Sequence, residues 1–556
     1  MATKYGNSFK PKKTPQNQPI PGREADMQPN AAGGYGFKIG DERRLQRWLI
    51  LGSETGTIYE DSETLTKQNL DALRGLVQSN PSAVVPLIRD VRKNDWAMRL
   101  SPLIFALAFA STSDATKQAA LAALGDIAQN ASQLMEFLAA RKDILGKAKT
   151  SRAIRTAVSQ WYNSRDVNAL IYQILKYRTR NGFSHAQILD LFHVAPIDDA
   201  HEQLFAWLSW QDTVSDASFE AGLKNVQPEQ AERSRAKRAR TLEMAQQAVR
   251  NFPIIGDFLL LQETTNEDEA AALIRKHNFT REMVPNTLLN SKVVWGALVA
   301  KMPYEALIRS LNKITVVGLT GAFKTSALVA RITDVDLIRK SRVHPMRVFT
   351  AWKQYSAGKG DKGSLTWTPS PQIVRALEEA FYLSFENVEP SEKNIVVAVD
   401  VSGSMRGATV SGIPNTNATE VAAALTLVYL KANPNALVLS FDTGVRELPA
   451  HAGMNIQQVI DLTSRYGGGT DCSLPFQYIN SHKLPADGVL MITDSETWAG
   501  HQHVTQANSN RIKFFNVQTT ASRASLNDPK DEHWFEVAGF SADTVKLAEL
   551  FFAGRI

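Results

Sequence analysis

A single cysteine, Cys472, occurs in 556 residues, which excludes an intrachain disulfide framework and any cysteine-rich zinc site and fits a reducing compartment. No apolar stretch reaches the roughly 18 residues of a membrane span. The amino terminus is polar and has no signal-peptide core. Together these absences predict a cytoplasmic protein, with a receptor-read export route left open. No Ser/His/Asp constellation, HExxH or Walker pattern is present, so the common signatures of hydrolases and nucleotide triphosphatases are missing. Acidic residues are absent before Glu24. Residues 1–36 are rich in Pro, Gly, Asn and Lys, and the first 40 residues read as a flexible basic tail, equally a solubilising tag or a nonspecific attraction for phosphate.

The length exceeds what one core supports, so two to four domains are expected. Charge is shared unevenly among them. Residues 391–556 hold 12 Lys and Arg against 16 Asp and Glu, leaving 50 against 40 in residues 1–390. A polyanionic partner would therefore meet the first part and not the second.

From residue 41 to about 385 almost every stretch shows apolar residues at helical spacing, for example 68–77, 98–109, 154–161 and 304–311. Short polar or Pro-containing breaks separate them. Many short helices, each unable to bury its apolar face alone, predict a stacked solenoid without a clean repeat period. From residue 394 the period changes. Strand runs at 394–400, 436–441, 488–494 and 512–518 alternate with helices near 418–431, 456–463, 473–482, 501–508 and 541–552. That alternation predicts a mostly parallel sheet covered on both faces. The boundary is placed at Glu389-Pro390-Ser391, giving a helical domain over 41–390 and an α/β domain over 391–556.

The most chemically pointed stretch is Ile395-Val396-Val397-Ala398-Val399-Asp400-Val401-Ser402-Gly403-Ser404. A buried strand ends on one carboxylate and two hydroxyls, beyond the sheet edge where open α/β sheets bind ligands. Oxygen donors of this kind suit a hard divalent cation such as Mg2+. Gly467-Gly468-Gly469-Thr470-Asp471 adds a hydroxyl on a loop, and a second apolar run ends at Thr493-Asp494. The three parts, in this order, resemble the metal-ion-dependent adhesion site of von Willebrand factor A domains. The resemblance implies Asp400, Ser402, Ser404 and Thr470 as metal ligands and Asp494 as a direct or water-mediated one. Taken alone, Asp-x-Ser-x-Ser is also a common strand-to-helix cap. The sequence departs from adhesive A domains at Asp494-Ser495-Glu496, where Gly-Glu commonly follows the aspartate.

Two basic segments stand out in the helical part. Lys176, Arg178 and Arg180 place three cations in five residues at a helix end. Asn181-Gly182 then makes a turn, and Ser184 caps the next helix, led by His185. Cations and free N–H groups at such a junction would hold a phosphate. Arg178, Arg180 and His185 are candidate polyanion contacts, beside the plainer reading that the cations complement the helix dipole, and Phe183 is read as core. The second segment, Arg233, Arg235, Lys237, Arg238 and Arg240, puts five cations in eight residues, with only Glu229 and Glu232 nearby in the chain. It reads as a phosphate-tracking helix. Lys292, the Arg275-Lys276-His277 group and the group Arg339, Lys340, Arg342 and His344 are weaker candidates. The glycine-rich stretch 358–363 lacks the P-loop pattern and reads as a loop.

The stretches Leu49-Ile50-Leu51-Gly52-Ser53-Glu54-Thr55-Gly56-Thr57-Ile58-Tyr59, Lys176-Tyr177-Arg178-Thr179-Arg180-Asn181-Gly182-Phe183-Ser184-His185 and Arg281-Glu282-Met283-Val284-Pro285-Asn286, with Gly468-Gly469-Thr470-Asp471-Cys472-Ser473-Leu474-Pro475, resemble the Ro autoantigen family of ribonucleoproteins, named for its TROVE module. The resemblance spans residues 40–556. It implies a ring of HEAT-like helical repeats closed by a von Willebrand A domain. It also implies Y-like noncoding RNA bound on the basic outer surface, single-stranded 3′ ends of misfolded RNA in the central hole, and association with an exoribonuclease. On this reading the chain is a nonenzymatic RNA-binding protein of RNA quality control, a monomer, with an acidic protein ligand at the metal site. The alternative is a metal-dependent protein-adhesion module on a helical scaffold. A third reading, a metal nuclease, requires RNA cleavage abolished by EDTA.

Overall fold

The computed structural model describes residues 13–51, 62–94, 97, 100–148, 150–211, 215–224, 226–320, 322–341, 343, 345–360, 364–387, 392–407, 416–519, 524–538 and 544–555. The expected boundary at 389–391 lies outside the described residues, as do Arg342 and His344.

Residues 13–38 are not a free tail. They carry strands β1 (Met27–Pro29) and β2 (Tyr35–Lys38), which pair antiparallel with each other. A short strand from the far end of the chain joins β2 on its other side. Arg23 clamps Asp528 with two hydrogen bonds of 2.7 and 2.8 Å, and Lys530 reaches Asp26 at 2.8 Å. Gln16 is fully buried. The flexible-tail expectation therefore fails for this segment. Its composition is tail-like, but its polar groups find partners about 500 positions away in sequence.

The helical part runs from Asp41–Leu51 to Pro371–Leu383. Caps set the boundaries as expected from local chemistry. Asn130 and Ser184 each begin a helix with a reciprocal capping box through Gln133 and Gln187, satisfying N–H groups that the first turn leaves orphaned. Proline opens Pro81–Lys93, Pro228–Asn251 and Pro253–Glu263, where its missing N–H costs nothing. The helices pack mainly on others nearby in the chain, as in Asp199–Gln211 against Pro228–Asn251 and Glu267–His277 against Lys292–Ala300. Within the array, β3 (Thr179–Arg180) and β4 (Phe183–Ser184) form a small hairpin.

The α/β part adds β5 (Ile395–Asp400), β6 (Leu437–Phe441), β7 (Val445–Glu447), β8 (Gly488–Thr493), β9 (Lys513–Gln518), β10 (Ala524–Ser525) and β11 (Trp534–Ala538). β10 is the strand that joins β2. The main sheet has the order β11-β9-β8-β5-β6-β7, parallel except for the β6–β7 hairpin. Every residue of β5 and β8 is buried, as unbroken Val/Ile runs require. Alternation splits the sheet between two cores. Val396, Ala398 and Met491 face one of them. Val397, Val399 and Ile492 face the other, which continues without a break into the helical array.

Both ends of that array meet the α/β domain. The first helix, Asp41–Leu51, packs against β11, and Pro345–Ser356 packs against Ala418–Ala432. Lys353 bonds Glu420 there at 2.7 Å. The second domain thus closes the helical array on itself. No helix among the described residues is long and apolar enough to cross a membrane.

Candidate functional site

β5 and β8 deliver Asp400 and Asp494 to the same end of adjacent strands. The Ser402 N–H donates to Asp400 Oδ1 at 2.8 Å, and Thr493 Oγ1 donates to Asp400 Oδ2 at 2.5 Å. Ser402 and Ser404 hydroxyls lie 3.1 Å apart, and Ser404 hydrogen-bonds Asp494. The Thr470 loop docks on this centre through Gly403 N–H donating to the Gly468 carbonyl at 3.1 Å. Behind it, the backbone N–H groups of Trp498 and Ala499 donate to the Thr470 carbonyl at 3.0 and 3.1 Å. Gly469 lets the loop approach Trp498 closely, since a Cβ there would lie 2.7 Å from its ring.

All five expected ligands are buried, Asp400 fully and Asp494 to within 2 %. Burial first, then the charge of Asp494, pushes Asp400 up to about 7. Burial likewise raises Asp494. No ion pair to either carboxylate is present among the described residues. Two adjacent buried carboxylates without a cationic partner are costly, and the hydroxyls around them supply only oxygen. This donor set fits Mg2+ or a similar hard cation. Ser495, at the position where adhesive A domains commonly have glycine, has φ +63°. The left-handed conformation is kept despite the Cβ. Ser495 N–H donates to Thr493 Oγ1 at 3.0 Å, and Asn516 Nδ2 donates to Ser495 Oγ at 3.2 Å.

The structure divides the basic candidates. Asn181 and Gly182 both have positive φ, 50° and 75°, the backbone a two-residue hairpin turn demands. The β3–β4 turn therefore holds Arg178 and Arg180 out in solvent. The Arg178 guanidinium sits 5.4 Å over the Phe258 ring, and the Lys176 ammonium 5.2 Å over Tyr177. Phe183 is core, as expected.

His185 is not a surface contact. It is 1 % exposed, with Nδ1 2.7 Å from the Tyr162 hydroxyl. Burial depresses its pKa to about 3. The serine cap was read correctly, but the ring turns inward onto Tyr162.

The run at 233–240 is not a bank of uncompensated cations either. Arg233 pairs with Glu229, Arg235 with Glu220, Arg238 with Asp216 and Arg240 with Glu202, at 2.7–2.8 Å. Three of these four partners come from other helices, out of reach of a reading by sequence spacing. Arg238 is also sandwiched between Trp210 and Phe219, 4.9 and 4.6 Å from their ring centres. Lys237 is exposed and pairs with no carboxylate among the described residues.

Lys292 is exposed at the start of Lys292–Ala300. Lys276 and His277 both pair with Asp257, at 2.6 and 2.5 Å, and Arg339 reaches Asp336 at 3.6 Å. Arg275 instead joins Arg281, Lys301 and Arg309 around a cavity that also receives Lys176. Arg281, Lys301 and Arg309 had no cluster in sequence to mark them. Helix packing alone brings them together.

Comparison with known proteins agrees with this two-part architecture. The TROVE domain family matches residues 28–354, and the Ro60 vWA domain family matches residues 394–552. The RNA-binding protein RO60 of Caenorhabditis elegans is 31% identical, covering 95% of this chain and 90% of its own. The RNA-binding protein RO60 of Deinococcus radiodurans is 29% identical, covering 99% of both chains. The crystal structure of the Deinococcus radiodurans RO (RSR) protein superposes with a TM-score of 0.70 at 29% identity, over 93% of this chain and 100% of that one. With a TROVE domain followed by a Ro60-type A domain, the chain belongs to the Ro autoantigen family.

Proposed function

We propose that this chain is an RNA-binding component of a small ribonucleoprotein. It would hold a structured, Y-like noncoding RNA on the basic surface of its helical domain and take single-stranded 3′ ends of misfolded RNA into the closed helical array, for quality control and processing beside an exoribonuclease. The observation that carries the reading is the hairpin at 176–184. It presents Arg178 and Arg180 to solvent, with no ion pair to either among the described residues. Exposed guanidinium groups on a rigid turn are suited to phosphate. Both relatives are named as RNA-binding proteins.

The metal centre serves a separate role on this reading. Asp400, Ser402, Ser404, Thr470 and Asp494 would hold Mg2+, directly or through water. Bound there, the cation would supply an open coordination position for an acidic group of a protein partner. A binding role is favoured over hydrolysis because hydroxyls occupy much of the donor set, whereas metal nucleases generally gather several carboxylates. The chain would act as a monomer in the cytoplasm.

The test is crosslinking and sequencing of RNA copurified with the intact protein and with the Arg178→Gln/Arg180→Gln variant. A discrete small noncoding RNA, recovered with the first and lost from the second, is expected. Background RNA on both would leave the adhesion-module reading in its place.

A further inference from the structure

The helical domain contains a cavity of about 510 Å³ between the end of Glu267–His277, the turn Arg281–Met283, the end of Lys292–Ala300 and the helix Tyr304–Val316. Its volume lies within the range of about 300–1,000 Å³ typical of small-ligand sites. Five cations line it: Lys176, Arg275, Arg281, Lys301 and Arg309. Glu282 is the one carboxylate among the lining residues. Arg275, Arg281, Lys301 and Arg309 are exposed, and none forms an ion pair among the described residues. The arginines at 233–240, by contrast, are each matched to an acid.

Helix dipoles do not account for this cluster. Arg275 and Lys301 stand at helix C-termini, where a cation is favoured. Arg281 opens a single 3-10 turn, and Arg309 sits mid-helix. The lining is not uniformly polar. Phe279 and Leu298 are buried, and Met302 and Ala306 are half-buried, giving the basic rim an apolar floor.

We propose that this cavity receives one unstacked nucleotide of single-stranded RNA, its base against the apolar floor and its flanking phosphates on Arg275, Arg281, Lys301 and Arg309. The proposal rests on the RNA-binding reading above and adds a site to it. Single-stranded RNA offers what the cavity asks for, a flat apolar face beside closely spaced anions. A duplex keeps its bases stacked and offers only the phosphates. Lys176 belongs to both the cavity and the hairpin segment, so a strand leaving a duplex held at Arg178 and Arg180 would reach the cavity directly.

The experiment measures binding of the full-length protein to a labelled single-stranded oligouridine and to a blunt RNA duplex, by fluorescence anisotropy at fixed salt. Ala306→Trp fills the floor without changing charge. It should weaken single-strand binding about tenfold, the scale of losing one base contact, and leave duplex binding unchanged. Arg281→Gln/Arg309→Gln should weaken the single strand and lower its salt dependence. Thermal melting verifies folding, and Ser310→Trp, also on the cavity wall, takes the place of an Ala306→Trp variant that does not fold. If the wild type binds both RNAs and the filled cavity changes neither, the proposal is overturned and the RNA-binding reading stands. Should the wild type bind neither RNA, both fall.

Discussion

Arg47 and Glu536 face each other across the junction between the first helix and β11, with nitrogen and oxygen 3.4 Å apart and both side chains buried. This pair joins one end of the helical array to the edge strand of the A domain. Desolvation lowers the Arg47 pKa to about 10, against the opposing pull of Glu536. The charge still survives at neutral pH.

Removing one partner would strand the other charge in the interior. Arg47→Met alone, or Glu536→Gln alone, should cost about 3–5 kcal/mol, whereas replacing both should cost much less. The measurement is the thermal and limited-proteolysis stability of the three variants. A double variant as damaged as the singles would mean that packing at this junction, and not the charge pair, holds the closure.

His185 makes stability depend on pH in a defined window. Its folded pKa is depressed to about 3 from the ordinary 6.5, so the unfolded chain takes up a proton that the native state refuses. Above pH 6.5 both states are neutral and nothing is lost. As pH falls from 6.5 towards 3, stability drops by about 1.4 kcal/mol per unit. Between pH 7 and 5 the wild type should therefore lose about 2 kcal/mol more than His185→Gln. Parallel stability–pH curves for the two proteins would contradict the inward placement.

Much of this molecule was legible in the sequence, and the gaps share a cause. β5 and β8 are evident because unbroken apolar runs, Ile395–Val399 and Val489–Ile492, need no partner to declare themselves. β7, β10 and β11 are not legible there, being two to five residues long; β11 moreover carries Glu536, whose partners Arg47 and Ser525 lie outside the strand. The carboxylates and hydroxyls of the A-domain centre are assigned by resemblance to the adhesion site of von Willebrand A domains, and the structure brings those loops together. The acids that pair with the basic run at 233–240 are not visible from sequence spacing, because Glu220 and Glu202 lie 15 and 38 positions away. Local chemistry was reliable wherever the partner was local.

The contrast among basic segments gives a salt test. Arg178→Gln/Arg180→Gln should reduce the slope of log affinity for duplex RNA against log salt by about 1.8, from about 0.9 per phosphate contact on a duplex. Arg233→Gln/Arg240→Gln should reduce it by less, because each of these arginines already faces a glutamate. Equal reductions would mean that RNA displaces those glutamates and that the helix tracks phosphate after all.

Buried Asp400 and Asp494 predict opposite effects of one substitution with and without metal. In chelator, Asp400→Asn should melt above the wild type, since it removes one of two adjacent buried charges. With Mg2+ the wild type should gain stability by mass action, about 2.7 kcal/mol at a hundredfold excess over Kd, and the variant should gain none. Calorimetry in both conditions decides it. A wild type indifferent to Mg2+, Mn2+ and Ca2+ would remove the metal assignment.

Gln16 ties the amino-terminal segment to the loop behind Asp400 and Asp494. Its Nε2 donates to Asp471 Oδ1 at 2.8 Å and to the Gln502 carbonyl at 2.9 Å, while Oε1 accepts from the Thr497 hydroxyl. Asp471 directly follows Thr470, and Thr497 Oγ1 also receives the Cys472 N–H at 3.1 Å. All of these groups are buried, so truncation to alanine leaves several polar atoms without partners. Such loss costs about 1–3 kcal/mol per orphaned group. Gln16→Ala should accordingly raise amide hydrogen exchange at 470–473 and 496–500 by about tenfold or more, with the helix Lys292–Ala300 unaffected. Because the loop carries Thr470, Mg2+ affinity should fall in step. Unchanged exchange in these loops would show that the A domain holds them unaided and that residues 13–38 merely lie on its surface.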